Sequence, residues 1–399
     1  MHLIEEHYYT INKSFLKMLG IWPHNKSRFI LLQRILITFV TVTYISMQWS
    51  IFITAECTMP LFVKTMIRSY PFAIIVMKYF IFMFKSEAIK NMHYQIQQDW
   101  KLLRNKLESK IIQQYAHEGQ LCTLFIFSFI SFILVLVTVI QFLPNILDVI
   151  LPLDEPRPRR LLVTAEYFIV KTNDKYYYTR VFHELVFLTM CASMIFATAT
   201  QLLTFAFHSF GMFKIASHRI KYSIEESILH VQKFGKEYTM CKTIMHAVTA
   251  HRRAMEFSNI FISCFNAPYC VMAILGIISL SISLYGLIEA ATISKSMENL
   301  VICFISVIGH LVYIFVASYV GQKIIDYNND LFKLAYNTSW YLMPVSSQKL
   351  ILFLMQKTSR DFYFMIGLIF VAKMESSTTV RCATNVLKQG KILLKCLRK

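Results

Sequence analysis

The chain has 399 residues, of which 56% are hydrophobic and only 16% charged, and its formal net charge is +18. A soluble domain is about 45–50% apolar with about a quarter of its residues charged, so this composition excludes an ordinary soluble enzyme and points to an integral membrane protein. Glycine, proline and the nine cysteines are scattered without CxxC pairs, repeats or low-complexity linkers, and one integral domain is expected.

A bilayer core about 30 Å thick takes roughly 20 apolar residues per helix. Residues 1–28 form a basic N-terminal segment. No secretory signal is expected there, because Glu5 and Glu6 interrupt the start and the first apolar run begins after Arg28. Spans are predicted at 29–53, 59–84, 121–143, 181–210, 260–288, 299–320 and from 362 onward. In the second, Lys64 and Lys78 lie near the two ends, where long side chains can snorkel, whereas Arg68 is deeper and should face protein or water. After it, Ile96, Trp100 and Leu103 recur at helical spacing among charges and predict an amphipathic helix. In the loop after span three, Pro156 and Pro158 beside Arg157 stiffen a lid over the bundle, and Tyr176, Tyr177 and Tyr178 are placed equally for contact with an entering ligand or for surface packing. Past span six, residues 319–356 are too polar to cross a bilayer. Pro344 ends one helical stretch, Ser346 or Ser347 can cap the next, and Leu350, Ile351, Leu354 and Met355 share a face that should pack on protein.

Counting Lys and Arg by loop gives 23 in the N-terminus and the loops after spans two, four and six, against seven in the other loops. Cytoplasmic loops accumulate these residues, so the N-terminus is expected inside. The net charge then fixes topology against anionic lipid and requires no nucleic acid. The fold class is all-α: a polytopic membrane protein of seven transmembrane helices, helix seven split into a cytoplasmic and a membrane part. Its domains are a cytoplasmic segment (1–28), a six-helix bundle (29–320), cytoplasmic anchor helices (321–360) and a seventh-helix region with a basic terminus (361–399).

Catalytic and metal motifs are absent. His183-Glu184 begins like a zinc-protease helix, but position 187 is Phe; His117-Glu118 fails likewise. No His-x4-Asp arrangement exists for an acyltransferase, no Gly-rich phosphate loop occurs, and neither metal nor cofactor is expected. Asn12, Asn25 and Asn337 are in glycosylation sequons on the side expected to be cytoplasmic, where they would stay unmodified. Apart from Glu184 the spans hold almost no carboxylates, against a proton-coupled transporter. An apolar, aromatic bundle can still bind apolar ligands. Helical spacing groups Met66, Tyr70 and Ile74 on span two, Phe132, Leu136 and Ile140 on span three, His183, Phe187, Met190, Cys191 and Met194 on span four, and Phe304 and Val307 on span six as candidate ligand contacts. Such stripes more often serve helix packing, and His183 more often an interfacial hydrogen bond.

The order Tyr319, Gly321-Gln322, Trp340-Tyr341, Pro344, Gln348-Lys349, Met355-Gln356 resembles the C-terminal signature of insect odorant receptors. The segment holding Ile96-Gln97-Gln98-Asp99-Trp100 and the long outer loop, LPL followed by a Pro/Arg cluster and AEYF, are similar to that family too, so the resemblance covers about residues 20–372. It implies a subunit of an odorant-gated cation channel, a hetero-tetramer with a shared coreceptor in the plasma membrane of sensory neurons, with a small volatile ligand held in the outer half of the bundle. Trp340, Tyr341, Pro344, Gln348 and Lys349 would then lie at the subunit interface. The loop between spans four and five, about fifty residues, lacks the coreceptor's long insertion and implies a tuning subunit. The related gustatory receptors are the alternative within the class, which the Trp340-Tyr341, Pro344 and Gln348-Lys349 pattern disfavours. The terminus departs from the family. After Asp361 about a dozen apolar residues are followed by Lys373, Arg381, Lys388, Lys391, Lys395, Arg398 and Lys399, which resist translocation. This leaves open a non-conducting or assembly-only form.

Overall fold

Backbone amides and carbonyls cannot stay unpaired in lipid, and the apolar runs of this chain satisfy them by forming helices. The computed structural model describes residues 8–24, 27–54, 56, 58–103, 105–152, 157, 177–230, 237–293, 297–359, 365–366 and 370–371. Among these, the helices are α1 (Thr10–Met18), α2 (Arg28–Trp49, with a further turn Ile51–Thr54), α3 (Met59–Phe84), α4 (Ser86–Lys101), α5 (Lys106–Ile150), α6 (Tyr177–His230), α7 (Glu237–Thr292), α8 (Met297–Asn337), a 3-10 turn (Trp340–Leu342) and α9 (Val345–Thr358). Six of them, α2, α3, α5, α6, α7 and α8, are long and apolar enough to cross a membrane.

Local chemistry sets the boundaries. Gly20, at φ 65°, takes the left-handed conformation that ends α1, and its amide and that of Ile21 return to the carbonyls of Lys17 and Leu16. The Gly20 carbonyl then accepts from Arg34 Nε at 2.9 Å, which ties α1 to α2. Ser27 caps α2, its hydroxyl accepting from the Phe29 amide at 3.2 Å. At Lys85, α3 passes into α4 almost without a break, the Ile89 amide bonding the Lys85 carbonyl at 3.0 Å.

The last four long helices have 45, 54, 56 and 41 residues, far more than a span requires. Their surplus runs out of the bilayer as continuous helix. Of the apolar window, 50% is buried in α6, against 6% in α5 and 11% in α8. So α6 is the axis of the bundle, packed on α1, α2, α3, α5, α7 and α8. Its Ala197, Phe205, Ala206 and Phe213 anchor the main core, which Leu16 and Leu19 of α1 and Ile89, Met92 and Ile96 of α4 complete; Trp100 and Leu103 pack at its edge.

A second core forms where the extensions meet. Ile220 of α6, Ile244 and Ala247 of α7, and Leu331 and Ala335 of α8 enclose Met343 and the Ile351, Leu354 and Met355 face of α9, so the amphipathic face read from the sequence does pack on protein. Polar contacts reinforce this end. Arg219 grips Glu108 with Nε and Nη2, both at 2.8 Å, and Asp99 is held between His208 and Arg253, each at 3.1 Å.

Three features differ from the sequence reading. Ser346 and Ser347 do not cap α9 but lie inside it, because the helix already begins at Val345 behind Pro344 with no side-chain cap. Lys78 does not reach an interface: it is buried, its ammonium 5.4 Å from the Tyr313 ring centroid, because α8 offers an aromatic face at that depth. Within the stretch expected to begin helix seven, Met365–Ile366 and Phe370–Val371 are extended and pair as antiparallel strands, Met365 opposite Val371. A run of about a dozen apolar residues rich in Phe, Ile and Val is short for a span and suits a strand. The rest of 361–399 lies outside the described residues.

Candidate functional site

Where α2, α3 and α6 meet, at the end of the bundle away from α9, aromatic side chains close on one another. Tyr44 of α2 stacks on Phe187 of α6 with centroids 3.8 Å apart and planes at 16°. Phe72 of α3 meets Phe187 edge-on at 5.1 Å and Tyr44 at 6.3 Å. Cys191 completes the cluster, with Val40 and Ile75 against it. His183, one turn from Phe187, has its ring centre 5.7 Å from Tyr44 and its Nε2 3.4 Å from the Thr43 hydroxyl. One turn beyond Tyr44, Gln48 is 1% exposed, and neither atom of its amide has a hydrogen-bond partner among the described residues. One turn from Phe72 toward the start of α3, Arg68 faces protein and donates to Asn299 Oδ1 at 3.1 Å.

The candidate residues separate on this geometry. Phe187 and Cys191 lie in the cluster and His183 at its edge. Met66 is buried, Tyr70 and Ile74 half-buried, and Met190 and Met194 pack into the main core. Val307 packs on Leu280 of α7. Phe132, 65% exposed, points outward together with Leu136, Ile140 and Phe304. Periodicity marks a shared face, but on α5 and α8 every face is apolar, so it cannot separate a lipid-facing stripe from an inward one. Tyr44, Phe72 and Gln48 escaped the sequence reading. The signal for Tyr44 and Gln48 was a polar residue in an apolar span: Gln48 at i+4 from Tyr44 marks the face of α2 that must turn to protein.

The residues expected at a subunit interface also divide. Trp340 is half-buried against the second core, while Tyr341 is 63% exposed. Gln348 is engaged within the chain, its amide donating to the carbonyls of Met343 at 2.8 Å and Tyr341 at 2.9 Å, so it shapes the turn that presents Tyr341. Pro344 precedes α9 and Lys349 is exposed on it. Tyr336, Tyr341, Leu342, Val345, Leu352 and Phe353 form an exposed apolar surface around this turn. Asn12 is buried against Gln201, at 3.2 Å, where a glycan has no room.

Comparison with known proteins agrees with this architecture. The family model for the 7tm odorant receptor matches residues 58–384. Odorant receptor 30a of Drosophila melanogaster is 23% identical over 214 residues, which cover 49% of this chain and 50% of that protein, so the match spans about half the length of the curated relative. The insect olfactory receptor OR5 from Machilis hrabei in complex with eugenol superposes with a TM-score of 0.71 at 14% identity, over 98% of this chain and 99% of that one. A second OR5 structure gives 0.68 at 12% identity, over 99% of both chains.

Proposed function

We propose, from the premise that this chain belongs to the 7tm odorant receptor family, that it is the odorant-tuning subunit of a ligand-gated cation channel. The observation that carries the reading is the closed cluster of Tyr44, Phe72, Phe187 and Cys191 inside a bundle of that family. A small volatile molecule would insert among these rings, burying apolar area at about 25 cal/mol per Å². It opens the pore only insofar as the open bundle holds it more tightly than the closed one. The N-terminus and anchor are assigned to the cytoplasm from the charge count, and the apolar surface around Tyr341 to contact with a coreceptor subunit at the plasma membrane. The share of the chain built into continuous long helices supports a ligand site and an anchor that move together.

The test is current recorded from cells expressing this chain with an insect odorant coreceptor, across a panel of volatiles. Odorant-dependent cation current above that of the coreceptor alone is expected. Its absence with both subunits at the cell surface would refute the reading. A second reading, a weakly conducting form, is favoured by the strands at Met365–Ile366 and Phe370–Val371 where a pore helix is expected. It predicts larger currents when residues 361–399 are replaced by a family-like apolar helix, and equal currents would exclude it.

A further inference from the structure

At the opposite end of the bundle from Tyr44 and Phe187, a cavity of about 40 Å³ lies between α1, α4 and α6. A single water needs about 10–15 Å³ on this measure, so the space exceeds a structural water and suits a small organic molecule. Two of the chain's four tryptophans, Trp22 and Trp100, line it, with Lys13, His93, Gln201 and Thr204. Aromatic rings form part of the walls: the Trp22 and His93 ring centroids lie 4.9 Å apart, and the Lys13 ammonium sits 5.5 Å from the Trp22 centroid. Gln201 engages His93 Nε2 at 2.9 Å. Burial, with the nearby charge of His24 adding to it, holds the His93 imidazole down at about 3, so the ring is neutral in the cell.

Two buried polar atoms of these lining residues have no hydrogen-bond partner among the described residues, Trp100 Nε1 and His93 Nδ1. An indole N–H can only donate, so Trp100 calls for an oxygen. The lining residues include no carboxylate to hold a cation. An anion would have to shed its water against one ammonium already placed over a ring. We propose that this cavity is a second ligand site, distinct from the Tyr44–Phe187 cluster, for a small uncharged molecule that joins an apolar body to a hydroxyl or carbonyl oxygen, the oxygen accepting from Trp100 Nε1.

The purified full-length chain with Trp49 and Trp340 changed to Phe leaves only Trp22 and Trp100 to fluoresce. The probe is 2,2,2-trichloroethanol, a small alcohol that quenches indole on contact. Saturable quenching is expected. Thr204→Leu, which fills the cavity, should make it linear in probe concentration. Trp100→Phe, read through Trp22, should weaken binding about tenfold, equivalent to about 1.4 kcal/mol. 1,1,1-Trichloroethane, which lacks the hydroxyl, should quench without saturation. Linear quenching by the alcohol in the parent protein, or saturation unchanged by Trp100→Phe, would overturn the proposal and leave a space that holds water alone. Equal saturation by both probes would overturn it as well. Should Thr204→Leu not fold, the Trp100→Phe and trichloroethane arms decide the matter.

Discussion

Tyr44 and Phe187 lie face to face at 3.8 Å, a contact that a ligand must either join or displace. Phe187→Ala or Tyr44→Ala removes an apolar contact worth about 1.5–3 kcal/mol when buried and should reorder the odorant ranking in recordings with the coreceptor, at normal surface abundance. The amide of Gln48 adds a preference: Gln48→Leu should raise sensitivity to hydrocarbons relative to alcohols and ketones, because a buried amide left unpartnered disfavours a ligand that cannot bond it. An unchanged ranking in all three variants would remove the cluster from the ligand site. At the anchor, His251 is buried and held down at about 4, burial and the charge of Lys357 both lowering it while its contact with the Asn328 side chain opposes them. His93 lies at about 3. Both rings are neutral in the fold and take up protons near 6.5 when unfolded, so their stability is full above about 6.5 and is lost as pH falls through that window, by at most about 1.4 kcal/mol per pH unit each. Melting temperature in detergent should therefore fall steadily from about pH 7 to about pH 5, and His251→Gln should flatten the slope. A melting temperature that rises on acidification would contradict this.

Helix by helix, the polar contacts at the α9 end of the bundle fix how the extensions are held. Arg219→Ala leaves the Glu108 carboxylate buried without its guanidinium, and breaking such a pair costs about 3–5 kcal/mol. A lower melting temperature and lower membrane abundance are expected, with Glu108→Gln/Arg219→Met less harmful than Arg219→Ala alone. Equal stability of Arg219→Ala and the parent would show that water solvates the site. The six crossing helices were legible in the sequence because a bilayer imposes a length and a composition on each. The α9 face was legible because Ile351, Leu354 and Met355 alternate with polar residues at helical spacing. The stripe of Phe132, Leu136 and Ile140 was not. Lipid and protein interior are equally apolar, so hydropathy carries no sign for which way α5 turns, and only packing fixes it. Phe72 was missed for the same reason: span two is apolar around Met66, Tyr70, Phe72 and Ile74 alike.

For the molecule as a whole, exposed apolar surface sits at two levels, along α2, α5 and α8 and around the turn before α9. The first suits lipid. The second lies on extensions that leave the bilayer, where Tyr336, Tyr341, Leu342, Val345, Leu352 and Phe353 would otherwise face water, and a patch of that kind marks an interface. Tyr341→Ala should lower co-purification with the coreceptor several-fold, since aromatic anchors contribute about 2 kcal/mol or more at interfaces, while leaving the melting temperature of the isolated subunit unchanged. Trp340→Ala should lower both, because its ring supports the second core. Undiminished co-purification after Tyr341→Ala would place the contact elsewhere.

The unbroken run of α6 from Tyr177 to His230 constrains how receptors of this kind can be recombined. A hybrid that joins one receptor's sensing half to another's stem at the membrane border would cut α6, α7 and α8 mid-helix, and each graft would have to match both helical phase and neighbours. Exchange should succeed between helices instead, at Lys85 or at Ser339 before the 3-10 turn. On the proposed function, a ligand site at one end of α6, α7 and α8 and the stem at the other pass on together, and new tuning within these helices arises by substitution.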